Sequence, residues 1–437
     1  MSPGGHMAEI KVMLKYADNP MQPNIQTAME NGAYATAKKH IGITPPQQII
    51  DMVIESSLRG LGGAGFPTGK KWRFLPTDAK TRYLVCNCDE SEPGAFKDRY
   101  LIERDPHQLI EGMILASYAI GVTKAFIFCR GEYYLGRHLL QKAVDEATER
   151  GFLGKNIFGT DIQLEIIVHP SAGAYIAGEE TAQLNSLEGY RATPRLKPPF
   201  PAVAGLYGKP TVVNNVETLC SVVHIVNYGP QWFLSLGTEK SRGNKIFQVS
   251  GHVQRPGCFE FPLGTPLRDV IAAAGGLLSG RSFKACYPGG SSCSLLVERD
   301  LGIHMDFESL AARGSALGTA SVIVMDDTTD MVKVSLRLME FYQNESCGKC
   351  TPCREGTRWI VQILERMVKG LGTTFDIANI KRLCNGMSET SFCPLAVGAA
   401  LPVLSAMAEF PEEFQAAVER NPYGHMHTEM PVSYPYR

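Results

Sequence analysis

The sequence predicts an α/β protein in three parts: a layered domain on a mainly parallel sheet, a small α+β module and a helical bundle. Three observations carry this. From Thr81 onward short β-like runs alternate with helical ones, the order that builds parallel sheets. Near Ser241 the chain changes to short strands broken by turn sequences (SGHVQRPG, LSGRS, YPGGSS). From Asp330 onward the apolar spacing is almost wholly helical.

Met1–Met7 reads as a segment outside the fold, and Met7 to about Lys39, polar and weakly patterned, predicts a poorly packed lead-in. Pro45–Arg59 carries Ile49, Ile50, Val53, Ile54 and Leu58 at helical spacing, and the Gly60–Gly69 loop follows. Arg82–Cys86, Lys124–Cys129 and Ile162–Val168 predict strands. Between them lie two predicted helices: Asp105–Ile120, with Asp105 as N-cap and Pro106 in the first turn, and Tyr134–Arg150, closed by Gly151. Further helices are predicted over Gly178–Glu188 and near Asn215–Val226, flanking the proline-rich loop Pro194–Pro201. In the middle module one helix, Pro266–Ala274, interrupts the strands. The last part predicts helices over Met331–Tyr342, Arg354–Gly370, Asp376–Met387 and Leu395–Glu409.

The 437 residues suit two to four domains. With 43 Lys+Arg against 44 Asp+Glu, a nucleic-acid surface is not expected. The best apolar run, Leu109–Val122, is too short for a membrane span and contains Glu111. The N-terminus shows no secretory or transit pattern, so the 12 cysteines are expected reduced, as core thiols or metal ligands.

Cys347, Cys350 and Cys353 form a C-x₂-C-x₂-C run, with Cys393-Pro394 downstream. Three thiolates at that spacing can each take one corner of a cubane, and a distant turn supplies the fourth. Structural zinc more often shows two separated pairs. The grouping favours a 4Fe–4S cluster, with zinc as the alternative. Cys384 competes for the fourth position, but it lies within a helical run whereas Cys393 lies in a turn. The histidines are scattered apart from His425-x-His427 in the polar tail, and no nucleophile–base pair suggests a hydrolase.

Gly60-Leu-Gly-Gly-Ala-Gly65 satisfies G-x-G-x-x-G, but a helix precedes it where a dinucleotide fold needs a strand. Its glycines nevertheless allow close backbone approach to an anionic or flat ligand. Lys70 and Lys71 can neutralise phosphate, and Phe66, Trp72 and Phe74 can stack on a ring. Asn87, Asp89, Glu90 and Glu92 follow a strand, at the end where α/β sheets place ligands; a solvated turn is the plainer alternative. Gly178-Glu179-Glu180, Lys197 with Phe200, and Asn214-Asn215 with Thr218 add groups that could bind a nucleotide or merely cap helices.

Together the segments GLGGAGFPTGKKW, CNCDESEPGAFKDR, GAYIAGEETAQLNSLEG, RLKPPFPAVAGLYGKPTVVNNVET, ESCGKCTPCREG and SFCPLA resemble the NADH-oxidising flavoprotein subunits of respiratory complex I, the bacterial F and mitochondrial 51-kDa subunits. The resemblance runs over roughly Leu58–Cys393. It implies a flavin-binding Rossmann-like α/β domain over 71–237 after an N-terminal segment 1–70. A ubiquitin-like β-grasp domain over 238–330 and a helical 4Fe–4S domain over 331–437 would follow.

By motif it implies an FMN site of Gly60, Gly62, Gly63, Lys71, Asn87, Asp89, Gly178, Glu179, Asn214, Asn215 and Thr218. NADH would meet Phe66, Phe74 and Phe200 at the adenine, with Glu92, Glu180 and Lys197 on its polar parts. Cys347, Cys350, Cys353 and Cys393 would hold the cluster. The family usually has Arg at position 61, Ala at 88 and Cys at 177; here stand Leu61, Cys88 (beside the expected flavin) and Ala177. No cysteine cluster lies before Cys86 or after Cys393, which favours complex I over the diaphorase subunits of NAD-reducing or bifurcating hydrogenases and formate dehydrogenases.

NADH gives two electrons as hydride, a cluster takes one at a time, and a flavin does both. No protein nucleophile or general base is then needed. The resemblance also implies a separate thioredoxin-like 2Fe–2S subunit, further iron–sulfur subunits of a peripheral arm, and a cytoplasmic position at a bacterial inner membrane.

Overall fold

The computed structural model describes residues 9–422; Met1–Met7 and the His425/His427 pair lie outside them. The chain forms two compact units. One runs up to Gly280 and adds Pro288–Gly290 and Arg299–Val324. The other takes Arg281–Tyr287, Ser291–Glu298 and the chain from Met325.

The first unit is built on four parallel strands: β1 (Tyr83–Cys88), β2 (Lys124–Cys129), β3 (Glu165–Pro170) and β4 (Thr211–Asn215), in the order β3-β2-β1-β4. The fourth strand was not expected from the sequence. It pairs with β1 so that Asn214 sits opposite Cys86 and Asn215 opposite Asn87. The helices Pro106–Ile120 and Val216–Tyr228 pack closely: a Cβ on Gly112 would lie 2.2 Å from the Leu219 carbonyl oxygen. Only glycine permits that approach.

The expectation of a poorly packed lead-in is overturned. Met13, Leu14, Ile25, Ala28, Tyr34, Ala37 and Ile41 are buried, and Glu111 accepts the Tyr34 and Ala37 N–H groups at 2.8 and 2.9 Å. Five short strands follow the sheet domain: β5 (Asn244–Gly251), β6 (Gly257–Pro262), β7 (Phe283–Tyr287), β8 (Leu296–Val297) and β9 (Ser321–Asp326). In the first unit β5 pairs antiparallel with β6 and parallel with β9.

Glu260 of β6 clamps the lead-in by accepting the N–H groups of Val12, Met13 and Leu14 at 2.7, 3.2 and 3.0 Å. Glu260→Ala should leave those donors unsatisfied and cost about 1–3 kcal/mol, read as faster proteolysis around residues 10–14. Burial pushes Glu260 up to about 7 from its ordinary 4.5. Its folded form therefore holds a proton that the unfolded form has lost across that window. Its contribution to stability is full below 4.5 and is lost as pH rises through 7, so mild acidification stabilises the fold by removing a buried charge, although the three N–H groups themselves favour the charged form.

In the second unit β7 and β8 pair antiparallel. Five helices follow: Met331–Glu345, Thr351–Val368, Thr374–Thr390, Leu395–Glu409 and Pro411–Glu419. Asp330 caps the first by accepting from Val332 and Lys333, and Thr373 with Asp376 forms a capping box on the third. Gly356 lets the second and third helices approach, since a Cβ there would lie 2.5 Å from Met387. Among the described residues no single helix is long and apolar enough to cross a membrane.

Candidate functional site

The loop after the helix Pro46–Glu55 is fastened at its base: Gly60 N–H donates to Phe66 carbonyl at 2.8 Å, and Arg59 bridges Pro67. Midway, Leu61 N–H donates to the Thr218 hydroxyl at 2.9 Å, and the Leu61 side chain is buried in the core. Among the described residues the N–H groups of Gly62, Gly63 and Ala64 have no protein acceptor. Gly63, at φ +144°, faces open space, while a Cβ at Gly62 would lie 2.7 Å from Asn215. With Gly65 and Phe66, these residues offer a run of unspent backbone donors of the kind that can receive an anion.

Lys71 stands on the helix Thr68–Arg73 and donates to the Val213 carbonyl at 3.1 Å. Burial pulls its ammonium below the ordinary lysine range, and Glu180, 3.8 Å away, opposes that. Lys197 pairs with Glu180 at 2.6 Å and Glu179 at 3.3 Å, so Lys71, Glu180 and Lys197 share one charge cluster. Glu179 caps the helix Glu180–Leu187, accepting from the Thr181 and Ala182 N–H groups at 2.9 Å.

At the carboxyl end of β1, Asn87 donates to the Gly178 carbonyl at 2.8 Å and accepts from Asp89 N–H at 3.1 Å. Asp89 accepts from the Ser171 hydroxyl at 2.8 Å, and Glu92 from Tyr175 hydroxyl at 2.6 Å. The Phe66 and Phe74 rings are 6.1 Å apart and exposed. Phe200 is also exposed, but makes no ring contact with either among the described residues.

Several candidates face inward instead. Thr218 has no exposed surface, so it acts on a ligand only through Leu61. Trp72 is buried and donates to Asn214 at 2.8 Å, so it cannot stack on a ligand. Asn215 is engaged on both sides of its amide, accepting from Lys97 at 3.1 Å and donating to Asp98 at 2.6 Å. Glu90 accepts the Asp98 and Arg99 N–H groups at the start of the helix Lys97–Arg104. Burial, with Asp98 nearby, pushes it up to about 7. Cys88 is fully buried. Strand alternation turns Cys86 and Cys88 into the core, where Cys88 lies 3.9 Å from Cys129.

A buried network lies beneath this surface, with little to announce it in the residue order. Lys97 contacts Asp98 at 2.6 Å and Glu217 at 3.2 Å, and Lys245 also pairs with Glu217. The adjacent charges Lys97-Asp98 at a helix start are its one visible trace.

In the helical unit Cys350 is the N-cap of Thr351–Val368, with Cys353 in its first turn and Cys347 before it. The Lys349 ammonium lies 4.8 Å over the Phe392 ring, which joins this loop to the turn carrying Cys393. Burial pushes the Cys393 thiol up to about 11, and repulsion from Cys347, Cys353 and Cys350 adds to it. Burial alone pushes Cys384 up to about 12; it is fully buried within Thr374–Thr390. Cys393 therefore shares the field of the other three and Cys384 does not. Among the described residues no three ligating side chains converge on a single ion. The C-x₂-C-x₂-C loop with one further cysteine on a turn suits a cluster in which each thiol takes its own iron.

A glycine loop with unspent backbone donors beside an α/β sheet, and four cysteines on a helical bundle, are the features of a protein with two cofactor sites. Residues 53–224 match the Nuo51 FMN-binding domain, 246–295 the SLBB domain, and 333–417 the NADH-ubiquinone oxidoreductase-F iron–sulfur binding region. The chain is 50% identical over 410 residues to an NADH-quinone oxidoreductase F subunit, the one numbered 2, of Rhizobium meliloti (strain 1021), covering 93% of this chain and 97% of that one. It is 48% identical over 415 residues to the NADH-quinone oxidoreductase F subunit of Mycobacterium tuberculosis (strain ATCC 25618 / H37Rv), covering 93% of each. An NAD+-reducing NiFe-hydrogenase in the H2-reduced state superposes with a TM-score of 0.82 at 37% identity, covering 94% of this chain and 67% of that one. The chain belongs to the family of NADH-quinone oxidoreductase F subunits, with FMN and a 4Fe–4S cluster as cofactors and NADH as substrate.

Proposed function

We propose that the unspent N–H groups of Gly62, Gly63 and Ala64, with Lys71, receive the FMN phosphate; this row of donors is the observation that carries the reading. Gly60, Asn87, Asp89, Gly178 and Asn214 line the rest of the flavin site, and Glu179 orients its helix beside it. Asn215 and Thr218 support the loop from behind. Bound there, FMN would supply the conversion between the two-electron chemistry of NADH and the one-electron chemistry of the cluster.

Phe66, Phe74 and Phe200 pack around the adenine. Lys197 and Glu180 meet the polar parts of the dinucleotide. Cys347, Cys350, Cys353 and Cys393 hold the cluster. The domain limits follow the same reading: 71–237, 238–330 and 331–437.

Glu92, held by Tyr175, presents a carboxylate to the adenine ribose, where it accepts from a 2′-OH and repels a 2′-phosphate. Glu92→Gln keeps the Tyr175 contact and removes the charge. The NADH over NADPH preference in kcat/KM should then fall by about tenfold. Undiminished preference would remove Glu92 from this role.

The protein works in the peripheral arm of complex I, on the cytoplasmic side, beside a thioredoxin-like 2Fe–2S subunit and other iron–sulfur subunits. Identities near 50% to the F subunits, against 37% to the hydrogenase, favour this over a diaphorase role. Affinity purification from the native cell tests it. Recovery with complex I subunits supports the reading, and recovery with a hydrogenase or formate dehydrogenase overturns it.

A further inference from the structure

The β-grasp module reaches back to the glycine loop at two places, and neither contact involves the residues assigned above to flavin or dinucleotide. From β5 the Lys245 ammonium donates to the Leu61 carbonyl at 3.1 Å while pairing with Glu217. Leu61 is thus held by its carbonyl from Lys245 and by its N–H from Thr218. From the helix Phe307–Ala312, Glu308 pairs with Arg59 at 2.6 Å. The same guanidinium donates to the Gly65 carbonyl at 2.8 Å and lies 3.8 Å over the Phe307 ring. The Ser241 hydroxyl fixes the other Glu308 oxygen at 2.5 Å. Gly65 has φ +65°, and a Cβ there would lie 2.6 Å from the Phe307 ring. The loop is therefore tied at 59, 61 and 65, and the unspent N–H groups of Gly62, Gly63 and Ala64 lie between the ties.

We propose that Lys245 and Glu308 are positioning residues: they hold Gly60–Gly65 in the shape that receives the FMN phosphate, so the β-grasp module orders a site it does not itself line. This rests on the assignment of the loop to the FMN phosphate. The physical reason is entropy. A glycine-rich loop has more conformational freedom to lose on binding than any other, and tying it beforehand moves that cost from binding to folding.

The test uses the full chain stripped of FMN. Amide exchange over Gly60–Phe66 is followed by mass spectrometry, and FMN affinity by quenching of flavin fluorescence. Glu308 and Arg59 have side chains 39% and 27% exposed, so Glu308→Ala should keep the wild-type melting temperature. Its loop amides should exchange faster, and FMN should bind on the order of tenfold more weakly. Glu308→Gln, which still offers acceptors to Arg59 and Ser241, should recover part of that loss. Lys245→Met should act in the same direction and more strongly; if it does not fold, Glu308→Ala decides alone. Wild-type FMN affinity with unchanged loop exchange in Glu308→Ala overturns the proposal. A wild-type chain that fails to take up FMN at all would instead defeat the loop assignment itself.

Discussion

Cys353→Ser is expected to abolish electron transfer to the partner subunits while NADH still reduces bound flavin and ferricyanide. A serine hydroxyl is a poor, hard ligand for iron, so the cluster should be lost or degraded. Cys353 is 6% exposed, and its sulfur lies 3.3 Å from Ser346 Oγ, which a serine hydroxyl can hydrogen-bond in its place. The flavin unit has its own sheet and core, so its spectrum near 450 nm should persist. Cys384→Ser is the contrast. Its thiol is buried in a helix away from the other four, so the cluster should remain and only stability should fall, by about 1–2 kcal/mol for a hydroxyl in an apolar site. A folded Cys353→Ser protein that lacks the cluster by electron paramagnetic resonance yet passes electrons onward at full rate would place the cluster off the path.

Lys97→Met should lower the unfolding free energy by about 3–5 kcal/mol, the cost of removing one partner from a buried charge set. Lys97 and Glu217 side chains are 1% and 0% exposed, and Asp98 is 4% exposed. Burial works against the Lys97 ammonium, but Asp98, Glu217 and Glu90 hold it well above the ordinary lysine range. Methionine matches its volume and leaves Asp98 and Glu217 facing Lys245 alone. Because Asn215 loses its Lys97 donor and backs Gly62, FMN should also bind more weakly. The double variant Lys97→Met/Asp98→Leu should regain part of the stability, since replacing both members avoids a stranded charge. Urea unfolding of the two variants decides it: a single-variant loss below about 1 kcal/mol would rank the ammonium with solvent-screened pairs.

Strands β1, β2 and β3 were visible as apolar runs between turn residues. β4 was not, because Thr211–Asn215 passes straight into the helix Val216–Tyr228 with no turn to mark the junction. The packing of the lead-in was hidden for a related reason. Its buried residues are divided between turns (Met13, Leu14, Tyr34, Ile41) and two six-residue helices, Ile25–Glu30 and Ala35–His40, too short for a period to register. The Glu260 clamp joins residues 248 positions apart, which no local pattern encodes. At the site, residue type marked Asn215, Thr218 and Glu90 as hydrogen-bonding groups and Trp72 as a ring that could stack, but not what each would meet. Each found a protein partner behind the surface. The cysteine set was the clearest part, because ligand spacing is itself a geometric statement.

The burial of the cysteines gives the protein a built-in gauge. Of its twelve thiols, only Cys258, Cys347, Cys350 and Cys393 have appreciable surface. Three of these four belong to the proposed cluster. An alkylating reagent applied to native, fully loaded protein should therefore leave it almost unlabelled, since burial holds even the Cys258 thiol well above its ordinary range, and each molecule that has shed its cluster should gain labels at 347, 350 and 393. Peptide mapping of alkylated samples would then give the loaded fraction of a preparation without any optical or magnetic measurement, and would show whether storage in air damages the cluster before it damages the fold.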